Sequence, residues 1–434
     1  MVFELRHRYF ARAAAVGIWL VSLAGQGHAQ ERVPSGPMVG PPANEYRLSL
    51  DEAKGRALSN SRLRAIVSMN IAAKHEGVYV AEADYYPKLF ANFTGFHYNE
   101  PLGSVLTPAR LPLASIAVHV FDQNLGMTTV TAVQPITALL KVRQGVRVAE
   151  ADERIARSQA WQEEQAIASG VEQLYYGLLA AKRILAGGEQ AARAAATMGP
   201  PQTLDARAAA IEGAQAMQQV GNQAADLQEQ LNGMLNLPLG TRLVLIELPP
   251  LAPQIRSADE AVGLALNSSP EVFQADQDVN KATAALQVAK LDFLPNIAVL
   301  GGVADQDGIP SIQSDFSFMG ITATQPLFEG GKLIHAQREA ETVLAMARQK
   351  ACQTRDETRL KAWKAYREFD EAGKAMNIAE QMVAVRREAQ QHSRTPDDIL
   401  KTGGDLMKAE AALIQAEATF RVDYAKLLNV AGMQ

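Results

Sequence analysis

Charge and glycine placement limit the chemistry available to this 434-residue chain. Beyond residue 29 its histidines are scattered, and none makes the His-x-x-x-His or Glu-x-x-His pair that puts two metal ligands on one helix face. Glycine pairs at 187, 301, 330 and 403 lack the Gly-x-x-x-x-Gly-Lys context of a phosphate loop. With 42 basic against 47 acidic residues, there is no basic footprint for nucleic acid. No catalytic residue, cofactor or metal is expected, and the chain reads as a non-enzyme. What remains is a dense run of charge at Arg394-Thr395-Pro396-Asp397-Asp398-Ile399-Leu400-Lys401. Its acids would bind cations, or would only complement the positive N-terminal end of a helix that starts there.

The elements that hold this run come from a duplicated pattern. Leu50-Asp51-Glu52-Ala53 through Ser61 matches Ala258-Asp259-Glu260-Ala261 through Ser269, a shift of 208 that also carries Tyr85-Tyr86-Pro87 onto Phe293-Leu294-Pro295. Thr131 to Ile136 reappears as Thr322 to Leu327 at a shift of 191, and Asn236 is paired with Asn429 near the end of each half. Two halves in one order imply internal duplication. Each half predicts a helix (about 50–84 and 257–292) ended by proline, which cannot continue it. Two extended segments follow, 88–98 with 120–134 and 296–304 with 316–325. The loops between them are expected to hold Pro101, Pro108 and Pro112, or Asp305, Asp307, Gly308 and Pro310.

Long helices come next. Thr358, Ala362, Ala365, Phe369, Ala372, Met376, Ala379 and Val383 alternate in steps of four and three, and the phase survives at Ile167, Val171, Leu174, Leu178, Ala181, Leu185, Gly188 and Ala192. That period is a coiled-coil seam. Cys352 falls inside this pattern and reads as a small core residue. Returning helices carry Leu406 to Leu427 and Ala216 to Met234, with reversals at Met198-Gly199-Pro200-Pro201 and His392 to Pro396. Each half therefore builds a helical hairpin. Four short strands cannot close a barrel, and closed membrane barrels need about eight or more. The protomer is incomplete by itself, and three copies would supply twelve strands.

The N-terminus has the anatomy of a secretory signal: Arg6, Arg8 and Arg12, an apolar run from Ala13 to Ala24, then Gly27-His28-Ala29. The expected organisation is a signal peptide at 1–29, a disordered leader at 30–47, a first repeat at 48–240, a linker at 241–256 and a second repeat at 257–434.

These features resemble the TolC family of outer-membrane efflux proteins. The carrying residues are the paired openings, the helix-to-strand prolines Pro87 and Pro295, and Gln325-Pro326-Leu327-Phe328-Glu329-Gly330-Gly331, which echoes in degenerate form at Gln134-Pro135-Ile136. The resemblance implies a mainly α protomer with a small β part. Its long antiparallel hairpins would form a trimeric α-barrel, and its four membrane strands would join a 12-stranded β-barrel. It also implies an outer-membrane location in a Gram-negative bacterium, most of the chain in the periplasm, and an equatorial belt. The expected role is the exit duct of a tripartite efflux pump or type I secretion system. Its partners would be an adaptor protein, an inner-membrane pump and outer-membrane lipid. By the same resemblance, Asp398 would narrow the periplasmic entrance and Arg394 would help hold it shut. Lys401 stands where the family often has a second acid. The competing reading is a periplasmic coiled-coil adaptor without a pore. The six aromatics Tyr85, Tyr86, Phe90, Phe93, Phe96 and Tyr98 are read as an interfacial belt at the membrane, with ordinary strand packing as the alternative.

Overall fold

The structure is a computed structural model that describes residues 45–105, 118–198, 204–309, 313–393 and 396–433. The segments expected to be a signal peptide and leader, up to residue 44, lie outside the described residues, as do the loop prolines Pro108, Pro112 and Pro310, the turn at Gly199-Pro200-Pro201, and Arg394.

Strand β1 (Tyr46–Leu48) pairs in parallel with β6 (Leu243–Leu245), so the leader expected to run to 47 is ordered from Tyr46 onward. Burial of the Tyr175 side chain beneath this pair explains the order: its hydroxyl donates to the carbonyls of Leu48 at 3.0 Å and Ile246 at 2.7 Å. Each expected opening helix is broken in two. Helix α1 (Leu50–Asn60) and α2 (Arg62–Ala83) meet at Ser61, while α5 (Ala258–Ser268) and α6 (Pro270–Leu291) meet at Ser269. Both serines are extended, and each hydroxyl caps the following helix by accepting from Arg64 N or Val272 N. Ser49 and Ser257 cap α1 and α5 in the same way, accepting from Glu52 N and Glu260 N.

Two 61-residue helices, α3 (Ala138–Met198) and α7 (Lys332–His392), dominate the molecule. At 1.5 Å per residue each is about 90 Å long. The returning helices are α4 (Leu204–Met234) and α8 (Pro396–Val430). Seam positions Thr358, Ala362, Ala365, Phe369, Ala372 and Val383 are buried within this one chain. In α3 the seam is buried at Val171, Leu178, Ala181 and Gly188, then ends, since Ala192 is exposed. Missing Cβ atoms let the helices approach closely. A Cβ on Gly177 would sit 3.4 Å from Leu227 Cδ1, and one on Gly373 3.3 Å from Phe420 Cε2. Cys352 is exposed rather than core. Ala351, one residue back, takes the buried position, and a single helical step of ~100° turns Cys352 outward.

Two apolar clusters sit between the sheet and the hairpin tips. One joins Leu48, Val171, Tyr175, Leu178, Leu231 and Leu243. The other stacks Phe369 on Phe420 and Tyr424, with ring centroids 5.0 and 5.3 Å apart. No helix among the described residues is long and apolar enough to cross a membrane.

Candidate functional site

A four-stranded antiparallel sheet orders β2 (Lys88–His97), β5 (Asn124–Pro135), β7 (Asn296–Asp307) and β8 (Asp315–Thr324) side by side, two strands from each repeat. Asp305 and Asp307, expected in a loop, belong to β7, and the turn starts at Gly308, whose φ of 91° suits glycine. A small hairpin of β3 (Leu102–Val105) and β4 (Val118–Phe121), unmarked in the sequence pattern, stands between β2 and β5. Among the described residues β2 pairs only with β5 and β8 only with β7, so both outer edges present unpaired backbone.

Register divides the sheet into two chemically different faces. One cross-strand row runs Leu89, Ala132, Gly301, Met319, and the next on the same face runs Ala91, Val130, Val303, Ser317. Met319 is 87% exposed and Phe93 78% exposed on this apolar face. Phe90 and Phe96 are an odd number of residues from Phe93, so they lie on the other face, with Thr131 and Thr129. The six-aromatic belt is therefore not one surface: alternation splits it.

Each junction of helix and sheet is tied by the glutamine of its Gln-Pro pair. Gln134 Nε2 donates to Tyr85 O at 3.2 Å, and Gln325 Nε2 to Phe293 O at 3.4 Å, so both glutamines hold the turns that lead into Pro87 and Pro295. After Pro326, Gly330 and Gly331 adopt φ of 60° and 83°, left-handed values that start α7 with no side-chain cap. After Pro135 no glycine is needed. Ile136 N donates to Ile297 O at 2.8 Å, and the Thr137 hydroxyl accepts from Ile297 N at 3.1 Å, which turns the chain by docking it on β7.

At the other end of α7 lie the remaining candidates. Asp398 and Lys401 are both exposed, one helical turn apart at the start of α8. The Thr402 hydroxyl donates to Asp398 O at 2.7 Å and also contacts Ser393 Oγ at 3.0 Å, which fastens the turn. Below it Arg386 pairs with Asp405 at 3.1 Å and Arg387 with Glu410 at 2.8 Å, holding α7 to α8. The structure thus brings Asp398 and Lys401 together and keeps them a full 61-residue helix away from Gly330 and Gly331.

An ion network between the two halves escaped the sequence reading, because its members lie far apart in the chain. Arg183 of α3 meets Glu417 of α8 at 3.1 Å and Glu247 at 3.3 Å, and Arg421 donates to Pro249 O at 2.9 Å. It joins the two repeats through the linker. Nearby, burial and then the Glu172 carboxylate push the Tyr176 phenol up to about 12. Burial, and secondarily the Arg242 charge, lower Lys182, whose ammonium donates to Leu243 O. Among the described residues no group of three or more His, Cys, Asp or Glu could hold a metal ion.

Comparison with known proteins agrees with this architecture. The family model described as outer membrane efflux protein matches residues 261–432. The chain is 25% identical over 188 residues to the outer membrane efflux protein BepC of Brucella suis, a match that spans 41% of each chain and so under half of that relative. Among solved structures, the outer-membrane channel OprN superposes with a TM-score of 0.71 at 16% identity, covering 89% of this chain and 90% of that one. The outer membrane protein VceC of Vibrio cholerae gives 0.66 at 16% identity, covering 89% and 97%. Those two likenesses concern the fold. Residues 261–432, the second half of the chain, are thus similar to the outer membrane efflux protein family, and the same hairpins, caps and Gln-Pro junctions recur in the first half.

Proposed function

We propose that the chain assembles as a homotrimer in the outer membrane, three sheets closing a 12-stranded barrel above a barrel of helices, and serves as a passive exit duct. The observation that carries this reading is the sheet with two unpaired edges, mounted on helices about 90 Å long. Backbone groups on those edges cannot be left unpaired in hydrocarbon, and a second and third copy satisfy them. Exposed apolar residues along the helices, among them Ile66 and Met69 on α2 and Leu360 and Ile378 on α7, support neighbouring protomers there too. An adaptor protein and an inner-membrane pump, in a tripartite efflux or type I secretion assembly, supply the energy and choose the cargo. Most of the chain stands in the periplasm, and the candidate entrance is the α7–α8 tip with Arg394, Asp398 and Lys401.

Reconstitution in planar bilayers tests the reading. Discrete conductance steps from the purified chain, together with restored drug or protein export in a strain lacking its own duct, are expected. A chain that stays soluble without detergent and gives no conductance would instead be a periplasmic coiled-coil adaptor.

A further inference from the structure

The two faces of the sheet differ in a way that goes beyond closing a barrel. On one face, rows from Ile297 to Val303 carry Val299, Ile321, Met319 and Leu89 with few polar groups. This stretch is about 20 Å along the strand, near the ~25 Å apolar band of membrane barrels. It ends at Asp305 and Asp315, which face each other in the register. The opposite face alternates hydroxyl and amide groups with rings: Phe90, Thr131, Gly302 and Phe318 share one row, and Asn92, Thr129, Ala304 and Phe316 the next. Ala304 is 4% exposed and Gln306 6% exposed on this face, whereas Val303 on the other is 57% exposed. The apolar face suits lipid and the mixed face suits water.

We propose that the mixed face carries an aromatic collar, centred on Phe90 and Phe318, that stacks against aromatic rings of solutes moving through the barrel. The proposal rests on the duct reading above. Phe318 leans across the sheet, since a Cβ on Gly302 would lie 3.0 Å from its Cζ, which places the ring on this face independently of strand parity. Phe96 stacks on Tyr98 with centroids 6.2 Å apart and extends the ring surface outward. Phe90 and Phe318 stand on the two edge strands, so closing a trimer brings rings from adjacent protomers to each seam. Between the Phe90 row and Gln306 this face holds no charged side chain. Recognition there falls to ring stacking and to hydroxyl groups, and cationic rings gain further from the π faces.

The test compares current block by tetraphenylphosphonium and tetrabutylphosphonium, equal in charge and different in rings, on the full trimer in planar bilayers. The wild type is expected to hold the phenyl cation roughly fivefold longer, the fold-change one ring pair supplies. Phe90→Leu with Phe318→Leu should erase that preference while keeping conductance, and Phe93→Leu, on the opposite face, should keep it. In a Cys352→Ser background, Phe318→Cys should react with a bulky, membrane-impermeant thiol reagent and lose current, while Met319→Cys should not. Equal dwell times for the two cations in a conducting wild type, or labelling at Met319→Cys alone, would overturn the collar and leave the duct. A wild type without conductance would remove both.

Discussion

Asn236 and Gly432 occupy the same place in the two repeats: each follows a returning helix with a left-handed φ, 53° and 69°. The hydrogen bonds agree, with Leu237 N donating to Asn232 O and Met433 N to Leu428 O, both at 2.9 Å. These are matching C-terminal helix caps. The carbonyl just before each is held by the break between the opening helices. Leu235 O accepts from Arg56 Nε at 3.2 Å and Asn60 Nδ2 at 3.5 Å, and Ala431 O accepts from Ser268 Oγ at 2.8 Å. The structural partner of Asn236 is therefore Gly432, and the sequence pairing with Asn429 is three residues short.

This equivalence makes opposite substitutions informative. Gly432→Ala forces a Cβ into a left-handed backbone and to within 2.3 Å of Ser268 Oγ, so it should cost about 1–2 kcal/mol or more. Asn236→Gly should be neutral or slightly stabilising. Thermal unfolding in detergent checks the pair, and equal effects at the two sites would contradict a shared cap.

Phe369 sits between Phe420 and Tyr424 within a single chain. Phe369→Ala should remove about 3–5 kcal/mol by leaving a cavity. Phe369→Asp should go further and prevent assembly by burying a charge. Unchanged trimer yield for Phe369→Asp would place that ring at the surface.

Tyr176 gives a pH signature. Its phenol is raised to about 12 in the folded chain by burial first and then by Glu172, against an ordinary value of 10.0, so the folded state holds the proton longer than the unfolded state does. The resulting stabilisation is complete below pH 10.0 and is lost as pH climbs towards about 12. The loss is about 3 kcal/mol. Lys182, lowered by burial, acts oppositely, with folded stability rising as pH climbs through its lowered pKa to 10.5. Comparing wild type with Tyr176→Phe isolates the tyrosine. The variant should be less sensitive to alkali, and identical pH profiles would contradict the shift.

At the hairpin tip, three copies of each charge would meet if the entrance is there. Asp398→Ala should weaken block by multivalent cations, Lys401→Asp should strengthen cation selectivity, and Arg394→Ala should raise conductance. Selectivity and block that stay constant across all three would mean the acids only complement the start of α8.

Much of this was legible in the sequence because duplication and period are long-range signals. Proline at 87 and 295, the four-three seam around Phe369 and the strand content near Thr131 placed helices and strands within a few residues. The breaks at Ser61 and Ser269 were missed because one capping hydroxyl looks ordinary inside an apolar run. The aromatic belt was misjudged because clustering along the chain ignores the alternation that puts Phe93 opposite Phe90. Arg183 and Glu417, 234 residues apart, could meet only through tertiary packing.

The central claim, that the chain is one third of a closed barrel, is tested most directly by native mass spectrometry of the detergent-extracted protein, paired with circular dichroism. A homotrimer that retains the strand content of the four-stranded sheet is the expected result. A monomer with that strand content intact, stable in detergent, would contradict it, because two open sheet edges would then persist without a partner.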